Sequence, residues 1–178
     1  MATKTWALDP THSEVQFKIK HLMITNVTGS FDIFTVSAQT EGEDFTKAKV
    51  SFTADVSSIS TNNEQRDGHL KSADFFDAEK FPQIKFEATK SENVDSDGSY
   101  DLYGDLTIRD VTKNVKLSVE FGGVVKDPYG NTKAGFTING KINRKDFGLT
   151  WSAVTEAGGV VVSDEVRIAA EIQLIEQA

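Results

Sequence analysis

Apolar and polar side chains alternate along most of this 178-residue chain, and that period of two constrains the fold more than any other feature. Val15, Phe17 and Ile19 alternate with Glu14, Gln16, Lys18 and Lys20. Ala48, Val50, Phe52, Ala54 and Val56 alternate with Lys49, Ser51, Thr53, Asp55 and Ser57. The pattern recurs through Ile84, Phe86 and Ala88, then Tyr100, Leu102, Gly104, Leu106 and Ile108, then Val115, Leu117, Val119 and Phe121. It returns in Phe136, Ile138, Gly140 and Ile142, and in Val166, Ile168, Ala170, Ile172 and Leu174. Successive strand side chains point to opposite faces, so each segment predicts a strand with one dry and one wet face. Between Phe31 and Val36 the phase flips, as a β-bulge or a covered outer face would require.

Turn chemistry separates these segments. Asp97-Gly98 in "VDSDGSY" predicts a hairpin turn, and Asp127-Pro128 with Gly130-Asn131 in "KDPYGNTK" predicts another. "RDVTKN" is a short link, and short links imply antiparallel neighbours. One helix is expected in "STNNEQRDGHLKSADFF", with Thr61 at capping-box spacing from Glu64. Leu70 then packs on the sheet, and Phe75, Phe76 and Phe81 follow as an apolar plug. "NRKDFG" reads as a second, shorter turn, and Gly158-Gly159 as a turn before Val160, Val161 and Val162. There is no repeat, linker or low-complexity segment, so residues 1–178 read as a single domain.

About eight strands, each with one apolar face, hide that face by closing into a barrel or doubling into a sandwich. The lengths of 47–59 and 111–126 favour the barrel. The expected fold is all-β: an extended eight-stranded antiparallel barrel with one or two short helices. Gly104 and Gly140 fall inside strands, where small size permits bending or leaves interior room.

Nineteen basic against 27 acidic residues give a net charge of −8. Such a chain repels a phosphate backbone, and no basic stripe runs along the sequence, so nucleic acid and anionic membranes are poor main partners. No apolar run has the length of a membrane-spanning helix. "MATKTWALDPTHSEV" has no apolar leader core, which makes the cytoplasm the expected compartment, or the periplasm if a leader has been removed. The chain has no Cys, which fits either compartment.

The inward set is aliphatic or aromatic: Phe17, Ile19, Phe52, Val56, Phe86, Leu102, Leu106, Leu117, Val119, Phe136, Ile138, Ile168 and Ile172, with small Ala48, Ala54, Ala88 and Ala170 among them. A lumen of this kind does not stabilise a charged substrate; if hollow, it takes an apolar chain. Periodicity leaves open whether the barrel is hollow or filled by its own side chains. Asp9, His12 and Ser13 in "LDPTHSEV" invite a triad, but neighbours on a strand point to opposite sides and a triad is defined by geometry. His12, His21 and His69 lack metal-ligand spacing. No catalytic residue, metal or cofactor is therefore expected.

Several ordered motifs together resemble the YceI-like family of bacterial lipid-binding proteins. They are "LDPTHSEVQFKIKHLMITNVTGSF", "RDGHLKSADFFDAEKFPQIKF", "GDLTIRDVTKNVKL", "FTINGKINRKDFGLTW" and "VSDEVRIAAEIQL". Asp110 departs from the family pattern, which often has Gly there. The resemblance implies a lipocalin-like barrel with a long apolar tunnel that binds polyisoprenoid chains, such as isoprenoid quinones or polyprenyl phosphates, or fatty-acid derivatives. It implies non-catalytic binding, transport or storage, with the tail among Phe17, Ile19, Phe52, Phe86, Leu102, Leu106, Leu117, Phe136 and Ile138. His21, Arg66 and His69 would meet the head group as hydrogen-bond donors. Two other functions remain open at this level: an enzyme acting on the head group of a bound chain, and a stress-related interaction module using Phe34 and Val36. A homodimer is compatible with either.

Overall fold

The structure, a computed structural model, describes residues 2–22, 24–149 and 162–177. Eleven strands form one continuous antiparallel sheet that closes on itself. In chain order they are β1 (Thr3–Leu8), β2 (Glu14–His21), β3 (Thr25–Phe31), β4 (Phe34–Glu41), β5 (Asp44–Asp55) and β6 (Ile59–Ser60). The helix α1 (Glu64–Lys71) follows, then β7 (Gln83–Glu92), β8 (Tyr100–Ile108), β9 (Val111–Lys126), β10 (Thr132–Asn143) and β11 (Val162–Glu176).

The eleven strands make eight staves, because two staves are interrupted and β6 extends a third. β1 and β2 both pair with β11, β1 near its C-terminal end and β2 along the rest. A 3-10 turn at Pro10–His12 kinks the chain between them. β3 and β4 likewise share a stave broken at Asp32-Ile33, and β6 pairs with β3 beyond the end of β5. The eight-stranded antiparallel barrel read from the sequence is therefore present. The Phe31–Val36 phase flip has its cause in the break: Ile33 is exposed at the bend, and Phe34 and Val36 face Ala54 and Phe52 across the sheet on the inner side. They form no external patch.

Two sequence readings are corrected here. Asn63 caps α1, its side chain accepting from the Arg66 amide at 3.0 Å, while Thr61 is turned to other partners. Gly104 and Gly140 do not leave interior room. A Cβ on Gly104 would lie 2.3 Å from Cζ of Phe86, and one on Gly140 would lie 2.5 Å from Cδ2 of Leu117. Large inward side chains from neighbouring strands already lie over these backbones.

The turns follow their chemistry. Asp127 accepts from the amides of Tyr129 and Asn131 at 2.9 Å each, with Gly130 at φ 87°. Asp95 accepts from the Asp97 and Ser99 amides beside Gly98, at φ 89°. Arg144–Phe147 forms the short turn expected in "NRKDFG", capped by Asn143. The Gly158-Gly159 turn lies outside the described residues.

One end of the barrel is filled by aromatic rings in tilted and edge-to-face contact. Trp6 is fully buried, its indole N–H donating to Thr40 Oγ1 at 2.9 Å, with Phe45 at 4.9 Å between ring centroids. Phe45 also meets Phe136 at 4.9 Å and Phe121 at 5.9 Å. The helix and the Arg144–Phe147 turn gather at the other end.

An apolar bore with a polar rim

The inward side chains leave space between the aromatic end and the helix. A cavity of about 300 Å³ occupies the helix end, and a second of about 140 Å³ lies deeper in the barrel. Val15, Phe52, Leu106 and Ile168 line both, so the two chambers adjoin along the bore, with these four side chains at the waist between them. Phe17, Ile19, Phe52 and Leu106 line the outer chamber. Phe86, Leu102, Leu117, Phe136 and Ile138 line the inner one, with Phe52 and Leu106 again. Each strand contributes on alternate positions, which is why a period-two reading finds these walls. Val56, grouped with the lumen by periodicity, instead packs in a 3-10 turn whose amide bonds to Pro82 O.

Polar groups collect at the rim. His21, at the end of β2, and Arg66 and His69, on α1, all line the outer chamber. The sequence of α1 has a single apolar side chain, Leu70, so the helix cannot be held by an apolar stripe. It is tied down by hydrogen bonds. Arg66 Nε donates to Thr61 Oγ1 at 2.8 Å and its Nη2 donates to Thr61 O at 2.7 Å, while the Thr61 hydroxyl and amide donate to Asp67 Oδ1. His69 Nε2 lies 2.9 Å from Asp74 Oδ2 and its ring stands edge-on to Phe75 at 5.0 Å. Phe75 and Phe76 also line the chamber; Phe81 does not, and stacks under Arg109 instead.

Sequence reasoning missed Arg144. It carries the same charge as exposed Lys141 and Lys145 beside it, so nothing in composition marks it out. In the fold it is 2% exposed and lines the outer chamber. Its guanidinium donates to Leu149 O at 2.6 Å and Ser163 O at 2.9 Å, with Asp164 at 3.7 Å. Burial lowers its pKa from the ordinary value and Asp164 opposes the shift, but an arginine so placed stays charged. Deeper in, burial pushes the phenol of Tyr100, which lines the inner chamber, up to about 12.

Asp9, His12 and Ser13 do not assemble a triad. Asp9 Oδ2 takes His12 Nδ1 at 2.9 Å and Lys133 Nζ at 2.6 Å, whereas the Ser13 hydroxyl exchanges bonds with the Gln173 backbone. None of the three lines either chamber. The cluster pins the kink between β1 and β2.

A closed eight-stranded barrel around an apolar bore, with a helix and polar rim at one end, defines a lipocalin-like barrel. Comparison with known proteins narrows the class. The YceI-like domain matches residues 6–174, and the chain belongs to that family. A UPF0312 protein of Staphylococcus aureus is 40% identical over 169 residues, covering 94% of this chain and 95% of the relative. A Campylobacter jejuni YceI protein of known structure is 36% identical, covers 96% of this chain and 97% of that one, and superposes with a TM-score of 0.76. Two more distant structures share the fold. Burkholderia cenocepacia BcnA has a TM-score of 0.80 at 21% identity, covering 93% of this chain and 98% of that one. A polyisoprenoid-binding domain from Saccharophagus degradans has a TM-score of 0.65 at 16% identity, covering 97% and 98%.

Proposed function

We propose that this protein binds a long apolar molecule in the bore and carries or stores it without chemical change. The guest's tail lies along Phe17, Ile19 and Phe52 into the inner chamber. Its oxygen-bearing head meets Arg66, His69, His21 and Arg144 at the rim. The classes that fit are an isoprenoid quinone, a polyprenyl chain or a fatty-acid derivative. The observation that carries this reading is the pair of apolar chambers, about 300 and 140 Å³, adjoining at a waist, with arginine and histidine side chains only in the lining of the outer one. Transfer of a tail into such walls gains about 25 cal/mol per Å² of apolar surface removed from water. The polyisoprenoid-binding domain of S. degradans supports the reading through its shared fold.

Leu106→Asp and Phe52→Asp test it. Both residues face the waist, where a carboxylate is costly to bury beside a guest. Uptake of a fluorescent acyl or prenyl probe should fall by at least ~10-fold, the loss of about 1.4 kcal/mol. Leu106→Asn serves as the uncharged companion, with circular dichroism as the check on folding. Full probe uptake by a folded aspartate variant would refute the proposal.

A further inference from the structure

The sequence has no basic stripe, yet the fold builds a basic surface. A groove of about 840 Å³ on the outside of the barrel is lined by Lys18, Lys113, Lys116, Lys141 and Arg167, with Asp146 as its one carboxylate. These five cations come from β2, β9, β10 and β11, in a chain whose net charge is −8. Strand register forces them together: Lys141 sits opposite Arg167, and Arg167 sits opposite Lys18. Like charges directly opposed on one sheet face destabilise the sheet. Lys141 has a partner in Glu165 at 3.7 Å, with both side chains more than half exposed. Lys18, Lys113, Lys116 and Arg167 make no ion pair among the described residues. The barrel thus holds a repulsive array that an external anion would relieve.

The position of the array points to its partner. Pairing between β9 and β10 runs only from Thr132–Lys126 to Gly140–Leu117, so the two strands part toward the rim. The groove lies at that parting, and Ile142 and Ile168 line both it and the outer chamber. At the same end, the β2–β3 hairpin presents Leu22 at 39% and Ile24 at 78% exposure, beside His21 of the rim. Cations flanking exposed aliphatic side chains match an anionic bilayer, which offers phosphates to the first and hydrocarbon to the second. Nucleic acid offers the phosphates alone. The acidic remainder of the surface is repelled, which orients the molecule.

We infer that the rim-side wall of the barrel, Lys18, Lys113, Lys116, Lys141 and Arg167 with Leu22 and Ile24, docks on anionic lipid surfaces. Docking does not require a loaded bore; it places the helix end of the bore against the phase from which an apolar guest would come.

Flotation of the whole protein with phosphatidylcholine vesicles, with and without phosphatidylglycerol, tests this. Binding should require phosphatidylglycerol and should fall with added salt. Each cation near the surface contributes about fivefold to partitioning, so the triple variant Lys113→Gln, Lys116→Gln, Arg167→Gln should bind roughly 100-fold more weakly. Ile24→Asp should also weaken binding, without touching the cations. Equal flotation with both vesicle types, no flotation with either, or a triple variant that floats like the parent would overturn the proposal. Salt-sensitive binding of duplex DNA without vesicle binding would overturn it too, and assign the groove to nucleic acid. Extractable lipid reports on the bore separately. A bare protein that floats contradicts the carrier reading alone, and a loaded protein that does not float contradicts the docking reading alone.

Discussion

Val15→Trp should turn the two-chamber bore into a single chamber. Val15 lines both chambers at the waist with Phe52, Leu106 and Ile168, so an indole there separates them. The inner chamber, about 140 Å³, is close to the size of a cavity that holds one benzene ring, or about six carbons. Six methylenes at ~0.8 kcal/mol each would contribute about 5 kcal/mol to a guest long enough to reach it. Ordering the chain offsets about half, leaving ~2–3 kcal/mol, a factor of roughly 30–150 in affinity. Calorimetric titration with a homologous series of alkyl chains reads this directly. In the parent, affinity should climb with each added carbon until both chambers are full. In the variant it should follow the same slope for short chains and then level off early. Overpacking costs about 1–3 kcal/mol, so a fall in Tm of about 2–10 °C is expected as well. A uniform loss at every chain length, or a slope that continues unchanged, would refute the two-chamber reasoning.

Further outcomes follow from single contacts. Lys133 at 2.6 Å, with His12 and Thr11, holds the Asp9 carboxyl below its ordinary value, although burial opposes this. The stabilisation is complete above about pH 4 and is lost as pH falls through the depressed folded-state value, so Tm should drop on acidification in the parent and drop less in Asp9→Asn. Gly29 faces the Phe17 ring, with Cζ only 2.3 Å from where a Cβ would sit. Gly29→Ala should cost about 1–3 kcal/mol in denaturant melts and weaken probe uptake by pushing that ring into the outer chamber. Arg144→Met strands the carbonyls of Leu149 and Ser163 and should cost about 2 kcal/mol or more in the same melts.

The staves were legible because a barrel stave must alternate. All twelve residues assigned to the bore and rim, on side-chain chemistry and the family resemblance together, line at least one of the two chambers, nine on strand walls and three at the rim. Whether the barrel was hollow was not legible. Interior volume depends on how side chains from different staves meet, and a pattern along one strand carries no information on that. Phe86 over Gly104 and Leu117 over Gly140 show the point: each glycine reads as space until its neighbour is placed. The break at Asp32-Ile33 showed in the sequence as the Phe31–Val36 phase flip, but that β1 with β2, and β3 with β4, continue one stave across their irregular segments was hidden, since a short irregular segment looks like any turn. Arg144 was missed because its burial comes from the fold around it. The basic groove was missed because Lys18 and Arg167 are brought together by register and not by sequence.

Mass spectrometry of an organic extract from detergent-free protein tests the central claim most directly. The expected result is a stoichiometric amphiphile with a long apolar tail, released on denaturation and lost in Leu106→Asp. Protein that emerges bare, and that takes up none of the quinone, prenyl or acyl chains then offered to it, would contradict the account.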